Sequence, residues 1–211
     1  MSTTRERPII FGGEMVRAIL GGQKTQTRRI VKPQPEDCIG LSELHRTYPA
    51  SYPNHWAEAG ASIVALKDGE APSWRCPYGQ PGDRLWVRET FADEAGGTRK
   101  FPGEHIYYRA DGEGVDLQGG RWSPSIHMPR WASRILLEVN SVRVERLQDI
   151  SDDDAMAEGV IPYKSGWTNG LLGPFSSPVL AFLDLWESIN GPGSWDQSPW
   201  VWVVGFRRIE Q

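Results

Sequence analysis

Apolar residues recur at helical spacing in three segments of the chain. The segment EMVRAIL (14–20) predicts a two-turn amphipathic helix, which the following pair of glycines ends. The segment SPVLAFLDLWESING predicts a longer helix, with Ser177 as its N-cap and proline in its first turn. The acidic segment DISDDDAMAEGV predicts a third, short helix, because Ser151 precedes an acidic residue at capping-box spacing. The chain therefore contains few helices, and most of them are short.

Alternating and β-branched segments predict a larger number of strands. Candidate strands are RPIIF, TRRIV, RLWVRETF, HIYYRAD, RILLEVNSVRVERL and WVWVVGFRRI. We expect residues 84–91, 134–146 and 200–209 to be strands of one barrel. The second of these is interpreted as a hairpin or a bent strand pair, with its bend at Asn140-Ser141.

The order of these elements favours a mostly β (α+β) fold. Strands without repeated βαβ units are typical of a small, mostly antiparallel barrel with short helices at its ends. Residues 33–80 are rich in proline and lack a sustained period, and residues 162–176 are rich in glycine. Both segments are interpreted as long loop insertions. A length of 211 residues suits a single domain spanning 1–211.

Charge and composition limit the classes of function. A net charge of -4 and a pI near 5.6 argue against a protein that coats nucleic acid through bulk charge, but a local basic pocket stays possible. Cys38 and Cys76 have neither the pairing nor the spacing of a disulfide framework or a zinc site. We therefore predict no metal and no cofactor. The sequence contains no signal-peptide pattern and no apolar run of about 18 residues, so we expect a cytoplasmic protein without a membrane partner. The sequence leaves the oligomeric state open, with a monomer favoured.

The segment GGQKTQTRRIVKP contains the first candidate chemistry. Lys24 and Thr27 are three residues apart, so their functional groups can approach each other in a turn. A threonine hydroxyl is a poor nucleophile without a base, and lysine becomes a base when burial or neighbouring cations lower its pKa. Arg28 and Arg29 supply such cations. The alternative is that these basic residues only compensate the dipole of the preceding helix.

Two glutamates are further candidates. Glu158 ends the acidic helix beside Gly159, where the backbone turns inward, whereas residues 152–154 are interpreted as surface charge that compensates the helix dipole. Glu89 lies among basic residues of a predicted strand, and it either faces a pocket or forms an ion pair with an arginine. An ion pair is the favoured interpretation.

The segment WSPSIHMPRWASRI (122–135) combines aromatic, histidine and arginine residues that suit base stacking and phosphate contact. It is equally interpreted as a loop that covers the end of the barrel. Together with the predicted strand RLWVRETF and the first basic segment, it completes the set of candidate substrate-binding residues. These are Arg28, Arg29, Trp86, Arg88, Glu89, His127, Arg130 and Trp131.

Four motifs in this order, GGQKTQTRRIVKP, PGDRLWVRETF, WSPSIHMPRWASRILLEV and LQDISDDDAMAEGV, resemble the ASCH domain family of the PUA-like superfamily. The resemblance is greatest to the longer members common in phage and prophage genomes. It implies a PUA-like β-barrel whose cleft accepts a modified nucleoside or RNA. Residues 33–80 and 162–176 are insertions relative to the smaller family core.

One branch of this family hydrolyses N4-acetylcytidine with a lysine, a threonine and a glutamate. The K-T-x-T motif of that branch implies Lys24 as the proton acceptor and Thr27 as the nucleophile, and the resemblance places the proton donor at Glu158. The expected function is therefore metal-independent removal of an N-acyl group from N4-acetylcytidine or a related nucleoside. The alternatives are a binding module for RNA or a modified base, without catalysis, and a ribonuclease that uses the same cleft.

Overall fold

The structure is a computed structural model, and it describes residues 4–32, 34, 38–39, 62–65, 73–93, 105–112 and 121–210. The described helices are α1 (Gly13–Leu20), α2 (Asp152–Ala157) and α3 (Pro178–Asn190). The described strands are β1 (Glu6–Ile10), β2 (Gln26–Ile30), β3 (Cys38–Ile39), β4 (Ser62–Ala65), β5 (Ser73–Arg75), β6 (Arg84–Arg88), β7 (Phe91–Asp93), β8 (Ile106–Tyr108), β9 (Leu136–Arg146), β10 (Ile161–Tyr163), β11 (Gly166–Thr168) and β12 (Trp200–Ile209). The fold is thus mixed α/β with mostly strands, as the sequence predicts.

The main sheet has five strands in the order β1-β6-β9-β12-β2. The β1–β6 pair is parallel, and the other neighbours are antiparallel. No backbone ladder joins β1 to β2 in the described residues, so the expected closed barrel is not formed. A side chain spans the two edge strands instead, because Arg29 Nη2 donates a hydrogen bond to the carbonyl oxygen of Ile10 at 2.7 Å.

The three segments expected to share a sheet do so, as β6, β9 and β12, although β6 ends at Arg88. The hairpin interpretation of residues 134–146 is wrong. These residues form one long strand, since β12 pairs with both of its halves. The predicted bend is a β-bulge, at which the register shifts between Gly205 and Phe206 opposite Asn140. A side chain at Gly205 would collide with the side chains of Asn140 and Ser141.

The main sheet separates two hydrophobic clusters. Trp200, Trp202, Val204 and Phe206 of β12 belong to the first cluster, with α1, which confirms that these four residues share one face. Val201 and Val203 alternate with them and belong to the second cluster, with α2 and α3. Strand β12 is therefore buried on both faces and anchors both layers.

The helix ends have the predicted caps. Ser151 Oγ accepts a hydrogen bond from the backbone of Asp154 at 3.1 Å, and Ser177 Oγ accepts one from Leu180 at 3.2 Å. Pro178 begins α3, as expected. None of the helices in the described ranges is both long and apolar enough to cross a bilayer.

The two predicted insertions have different outcomes. Most of residues 33–80 lie outside the described residues, and the described part contributes the antiparallel sheet β3-β4-β5. Residues 162–176, interpreted as a loop, contain most of the antiparallel hairpin β10-β11. Apolar side chains account for this order, because Trp167 pairs with Phe175 in an isolated bridge and both pack against the second cluster.

Candidate active site

A buried ion pair joins two elements that are distant in sequence. Lys24 Nζ donates hydrogen bonds to Glu158 Oε2 at 2.7 Å and to the carbonyl oxygen of Glu158 at 2.8 Å. Lys24 lies between α1 and β2, and Glu158 is the C-cap of α2. Gly159 follows with a φ of +103°, and a side chain there would press on Ala18 and Lys24. This tight turn directs Glu158 into the protein rather than toward solvent.

Burial lowers the pKa of the Lys24 ammonium, because its side chain is 0% exposed. The attraction of Glu158 opposes this effect, while the charges of Arg29 and Arg28 lower the pKa further. Burial and neighbouring cations are thus the two causes of a lowered lysine pKa that the sequence suggests. The alternative role, compensation of the α1 dipole, does not describe Lys24, whose ammonium bonds to Glu158.

Thr27 and Glu158 line the same cleft, which has a volume of about 420 Å³. Thr27 is buried on β2, opposite Val204, and its side chain therefore faces the first cluster. Its hydroxyl makes no hydrogen bond within the described part of the chain, and so none joins it directly to Lys24. The expected approach of the Lys24 and Thr27 functional groups therefore stays a prediction.

Arg28 lies on the opposite face of β2 and is fully buried among carboxylates. Its Nη1 donates to Glu158 Oε1 at 3.2 Å, and its Nη2 donates to Asp154 Oδ2 at 3.0 Å. Its Nε also donates to Glu145 at 3.1 Å. Glu158 is therefore held by Lys24 at one carboxylate oxygen and by Arg28 at the other.

Arg143 completes this network from β9. Its guanidinium donates to Asp154 at 2.7 Å and to Glu145 at 3.0 Å. The interpretation of Asp154 as surface charge is wrong, because Asp154 also accepts a hydrogen bond from Gln26 at 3.1 Å. The resulting charged cluster balances three cations with three anions. Its members are Lys24, Arg28, Arg143, Glu145, Asp154 and Glu158.

The environment of Asp154 predicts an acid-sensitive contribution to stability. Burial raises the pKa of this carboxyl, but the hydrogen bond from Gln26 and the charges of Arg143 and Arg28 outweigh burial and hold the pKa below its usual value. A lowered pKa in the folded state stabilises the protein above the unfolded pKa of about 3.9, and this contribution is lost as the pH falls through the folded pKa.

We therefore expect Asp154→Asn to reduce the free energy of unfolding by about 1.5–3 kcal/mol at pH 7, the value of a hydrogen bond to a charged group. The difference from the wild type should shrink below about pH 4. Denaturant unfolding at pH 7 and pH 3 measures both values. Asp153→Asn is the matched control, because Asp153 is exposed on the same helix turn. If Asp154→Asn reduced the free energy of unfolding equally at pH 7 and pH 3, the charge of Asp154 would not be the cause of its contribution to stability.

The mouth of the cleft is cationic. Arg29 reaches across it to Ile10, and its guanidinium lies 5.2 Å from the centroid of the Phe11 ring. Lys32 and Arg75 also line the cleft and are exposed. None of the three arginine and lysine side chains at the mouth pairs with a carboxylate within the described residues. The cleft is therefore balanced in charge at its base and positive at its opening.

The remaining candidate residues lie elsewhere. Glu89 forms a two-point ion pair with Arg134, at 2.9 and 3.0 Å, as the favoured interpretation expects, and it also lines a separate cleft. Burial raises the pKa of Glu89 by more than Arg134 lowers it. Arg88 stacks over the Trp86 ring at 4.6 Å. None of these side chains lines the cleft that contains Thr27.

The segment 122–135 likewise contributes nothing to that cleft. Arg130 pairs with Glu6 at 2.8 Å, His127 is exposed, and Trp131 packs against a third small cluster around Met128. These contacts match the interpretation of the segment as a packed loop. The structure therefore brings together five of the predicted site residues, which are Lys24, Thr27, Arg28, Arg29 and Glu158.

Several residues of the cleft have no clear signal in the sequence. Phe182 and Trp186 reach it from α3, and Tyr78 reaches it from the segment before β6. Their apolar character predicts a core, which α3 indeed contributes to. Glu145 and Arg143 alternate on β9 with one residue between them, a spacing that places both on one face of the strand. That spacing is the one signal from which the charged cluster could have been suspected.

No three histidine, cysteine, aspartate or glutamate side chains are grouped to hold a metal ion in the part of the chain that the structure describes. Comparisons of the chain with protein-family models, with curated proteins and with solved structures find no match. The geometry of the cleft and the sequence motifs are therefore the basis for assigning a function.

Proposed function

We propose that the protein is a metal-independent amidohydrolase that removes an N-acyl group from N4-acetylcytidine or a related modified nucleoside. The observation that carries this proposal is the buried contact of 2.7 Å between Lys24 and Glu158, at a cleft that Thr27 also lines. A base, a nucleophile and an acid at one cleft are the components that cleavage of an amide requires.

The proposed family is the ASCH group of PUA-like domains. The four sequence motifs carry this assignment; the described sheet is open, with the Arg29 side chain as a link between its two edge strands. The motif residues Lys24 and Thr27 lie on or beside edge strand β2, and Glu158 lies on the helix that covers this strand.

The Lys24–Glu158 contact gives the first chemical step a simple starting point. In this step one proton moves from the Lys24 ammonium to the Glu158 carboxylate across their 2.7 Å contact, which leaves a neutral lysine and a protonated glutamate. Lys24 then accepts the hydroxyl proton of Thr27 as Thr27 Oγ1 attacks the acyl carbon. Glu158 donates its proton to the exocyclic nitrogen, and the carbon–nitrogen bond breaks to release the amine.

The second step returns the protein to its starting state. A water molecule attacks the acyl ester on Thr27 while the Glu158 carboxylate accepts one of its protons, and the Lys24 ammonium returns its proton to Thr27 Oγ1. The carbon–oxygen bond to Thr27 breaks, the threonine hydroxyl regains a proton, and a carboxylic acid leaves. The net reaction is amide plus water to amine plus acid.

Arg29 is the residue best placed to stabilise the oxyanion of these steps. Arg28 is engaged by three carboxylates and its side chain is 0% exposed, so it cannot turn to a substrate. Arg29 has no carboxylate partner in the described residues and lines the cleft. A cation near the developing negative charge lowers the barrier because it stabilises that charge.

The test is incubation of the wild-type protein with N4-acetylcytidine, in parallel with an unmodified RNA oligomer. We expect cytidine and acetate in a ratio of one to one, measured by liquid chromatography with mass spectrometry, and an intact oligomer. Shortened RNA would favour a ribonuclease. The absence of cytidine at enzyme concentrations near that of the substrate would contradict the amidohydrolase.

The cationic mouth favours a second candidate, a module that binds RNA or a modified base without chemistry. Lys32, Arg75 and Arg29 could contact phosphates. Binding of this kind weakens as salt is added. In a plot of the logarithm of the binding constant against the logarithm of the salt concentration, each phosphate contact steepens the slope by about one. Salt-dependent binding of the oligomer, without hydrolysis of any acylated nucleoside, would place this function ahead of the first.

A further inference from the structure

A second cleft of about 600 Å³ adjoins the first. It lies between the edge of β1, the N-terminus of α1 and the last turn of α3. The two clefts share five lining residues, so they lie side by side. The shared residues are Met15, Arg29, Tyr78, Leu185 and Ile189.

The second cleft is aliphatic, whereas the first is aromatic and charged. Its walls include Ile9, Ile10 and Leu171 in addition to the shared aliphatic residues. Ile10, Leu171 and Ile189 are 43%, 53% and 55% exposed, which is unusual for large apolar side chains close together. The acidic residue at this cleft, Glu14, is already paired with Arg17. Arg29, Tyr78 and Ser188 add polar groups to its walls, but most of the lining is apolar, so the cleft suits an alkyl group better than a base or a sugar.

The position of the second cleft relative to Thr27 is set by β2. Thr27 and Arg29 alternate on the strand, so their side chains share a face and their Cα atoms are about 7 Å apart. Arg29 lines both clefts, but Thr27 lines only the first. A chain attached to a carbonyl group at Thr27 would thus pass Arg29 and enter the aliphatic walls.

We propose that the second cleft binds the acyl group of the substrate, and that the preferred substrate class is N-acyl nucleosides with an aliphatic acyl chain longer than acetyl. This inference rests on the proposed amidohydrolase function. An acetyl group carries one methyl and cannot fill the second cleft, while each further methylene group removes more apolar surface from water. The aromatic first cleft would then hold the nucleobase.

The experiment measures kcat/KM for N4-acetyl-, N4-butanoyl- and N4-hexanoylcytidine with three proteins. For the wild type we expect a rise of about threefold for each methylene group, and so roughly 80-fold from acetyl to hexanoyl. Leu171→Asp should lower the ratio of hexanoyl to acetyl hydrolysis at least about tenfold, because it places a charge on the wall of the second cleft. Leu172→Asp is the matched control: Leu172 is 61% exposed, adjacent in sequence and outside the cleft. It should leave the ratio unchanged.

Binding of the same three ligands to Thr27→Ala, measured by calorimetry, separates this inference from the function on which it rests. Hydrolysis that is equal or slower for longer chains would overturn the acyl cleft and leave the amidohydrolase standing. Affinity that rises with chain length, without hydrolysis by the wild type, would retain the acyl cleft and overturn the amidohydrolase. If the wild type hydrolyses none of the three ligands and affinity does not depend on chain length, both the acyl cleft and the amidohydrolase are overturned. Equal effects of Leu171→Asp and Leu172→Asp on the ratio of hexanoyl to acetyl hydrolysis would overturn the acyl cleft.

Discussion

Thr27→Ala is expected to lower kcat for an N4-acylcytidine by about 10³-fold or more, while the dissociation constant changes by less than about threefold. The nucleophilic oxygen is needed only once the acyl carbon is attacked, so its loss acts on the transition state rather than on binding. The hydroxyl makes no hydrogen bond in the described part of the chain, and its removal should therefore leave the fold intact. Single-turnover kinetics and calorimetric titration measure the two quantities separately.

Thr25→Ala provides the matched control. Thr25 lies two residues away and is exposed. Its contacts to α2 and β12 are made by the backbone, which donates to Ala157 and accepts from Phe206, so the variant should keep wild-type kcat and KM. If Thr27→Ala retained turnover comparable to that of Thr25→Ala, Thr27 would not be the nucleophile. A loss of affinity without a loss of kcat would indicate that Thr27 only binds the ligand.

Lys24→Met is expected to remove activity and stability together. The variant leaves the buried carboxylate of Glu158 with Arg28 as its remaining partner, so the charged cluster has two cations and three anions. Removing one member of a buried ion pair costs about 3–5 kcal/mol, and we expect about 3 kcal/mol here because Arg28 stays in place. Loss of the base should reduce kcat by at least about 10²-fold.

A second substitution separates these two effects. In Lys24→Met/Glu158→Gln the cluster again balances, with two cations and two anions, and the glutamine keeps the shape of the glutamate. We expect this double variant to recover at least about 1 kcal/mol of the free energy of unfolding relative to Lys24→Met, with no recovery of hydrolysis. Denaturant unfolding and the acylcytidine assay on the same samples provide both values. Recovery of hydrolysis in the double variant would exclude Lys24 and Glu158 from the chemistry.

Local signals account for the parts of the fold that the sequence predicts well. Ser151, Ser177 and Pro178 act within one helix turn, and the alternation of Trp200 to Phe206 needs only the period of a strand. The interpretation of residues 134–146 as a hairpin failed for a non-local reason. Asn140-Ser141 has the composition of a turn, but β12 is long enough to pair across it.

The residues of the candidate site also differ in how well the sequence predicts them. Lys24 and Thr27 are recognisable because the motif is short, and Arg28 and Arg29 are adjacent to it. Sequence alone assigned the two arginines the same alternative roles, yet neighbouring residues on a strand face opposite sides of the sheet. The Arg28 guanidinium therefore donates hydrogen bonds to carboxylates of α2 and β9, whereas the Arg29 side chain lines the cleft. That difference depends on partners more than a hundred residues away.

The charge of Asp154 illustrates the same limit. A run of three aspartates in the first turn of a helix is explained by the helix dipole, and nothing in the run distinguishes its third member. In the folded protein the helix lies against β2, which brings Gln26 and Arg28 to Asp154 alone. The pairing of the sheet, rather than the helix itself, selects which aspartate is structural.

Strand β12 is the last strand to be synthesised in the described part of the chain, yet it lies between β9 and β2 in the sheet. While the chain emerges from the ribosome, β2 has no neighbour to pair with until residues 200–209 have been translated. Lys24, Thr27 and Glu158 are all present much earlier, but the strand that carries the proposed nucleophile is not yet held against the helix that carries the proposed acid. A nascent chain that stops before Trp200 would contain every proposed catalytic residue and have no catalytic site.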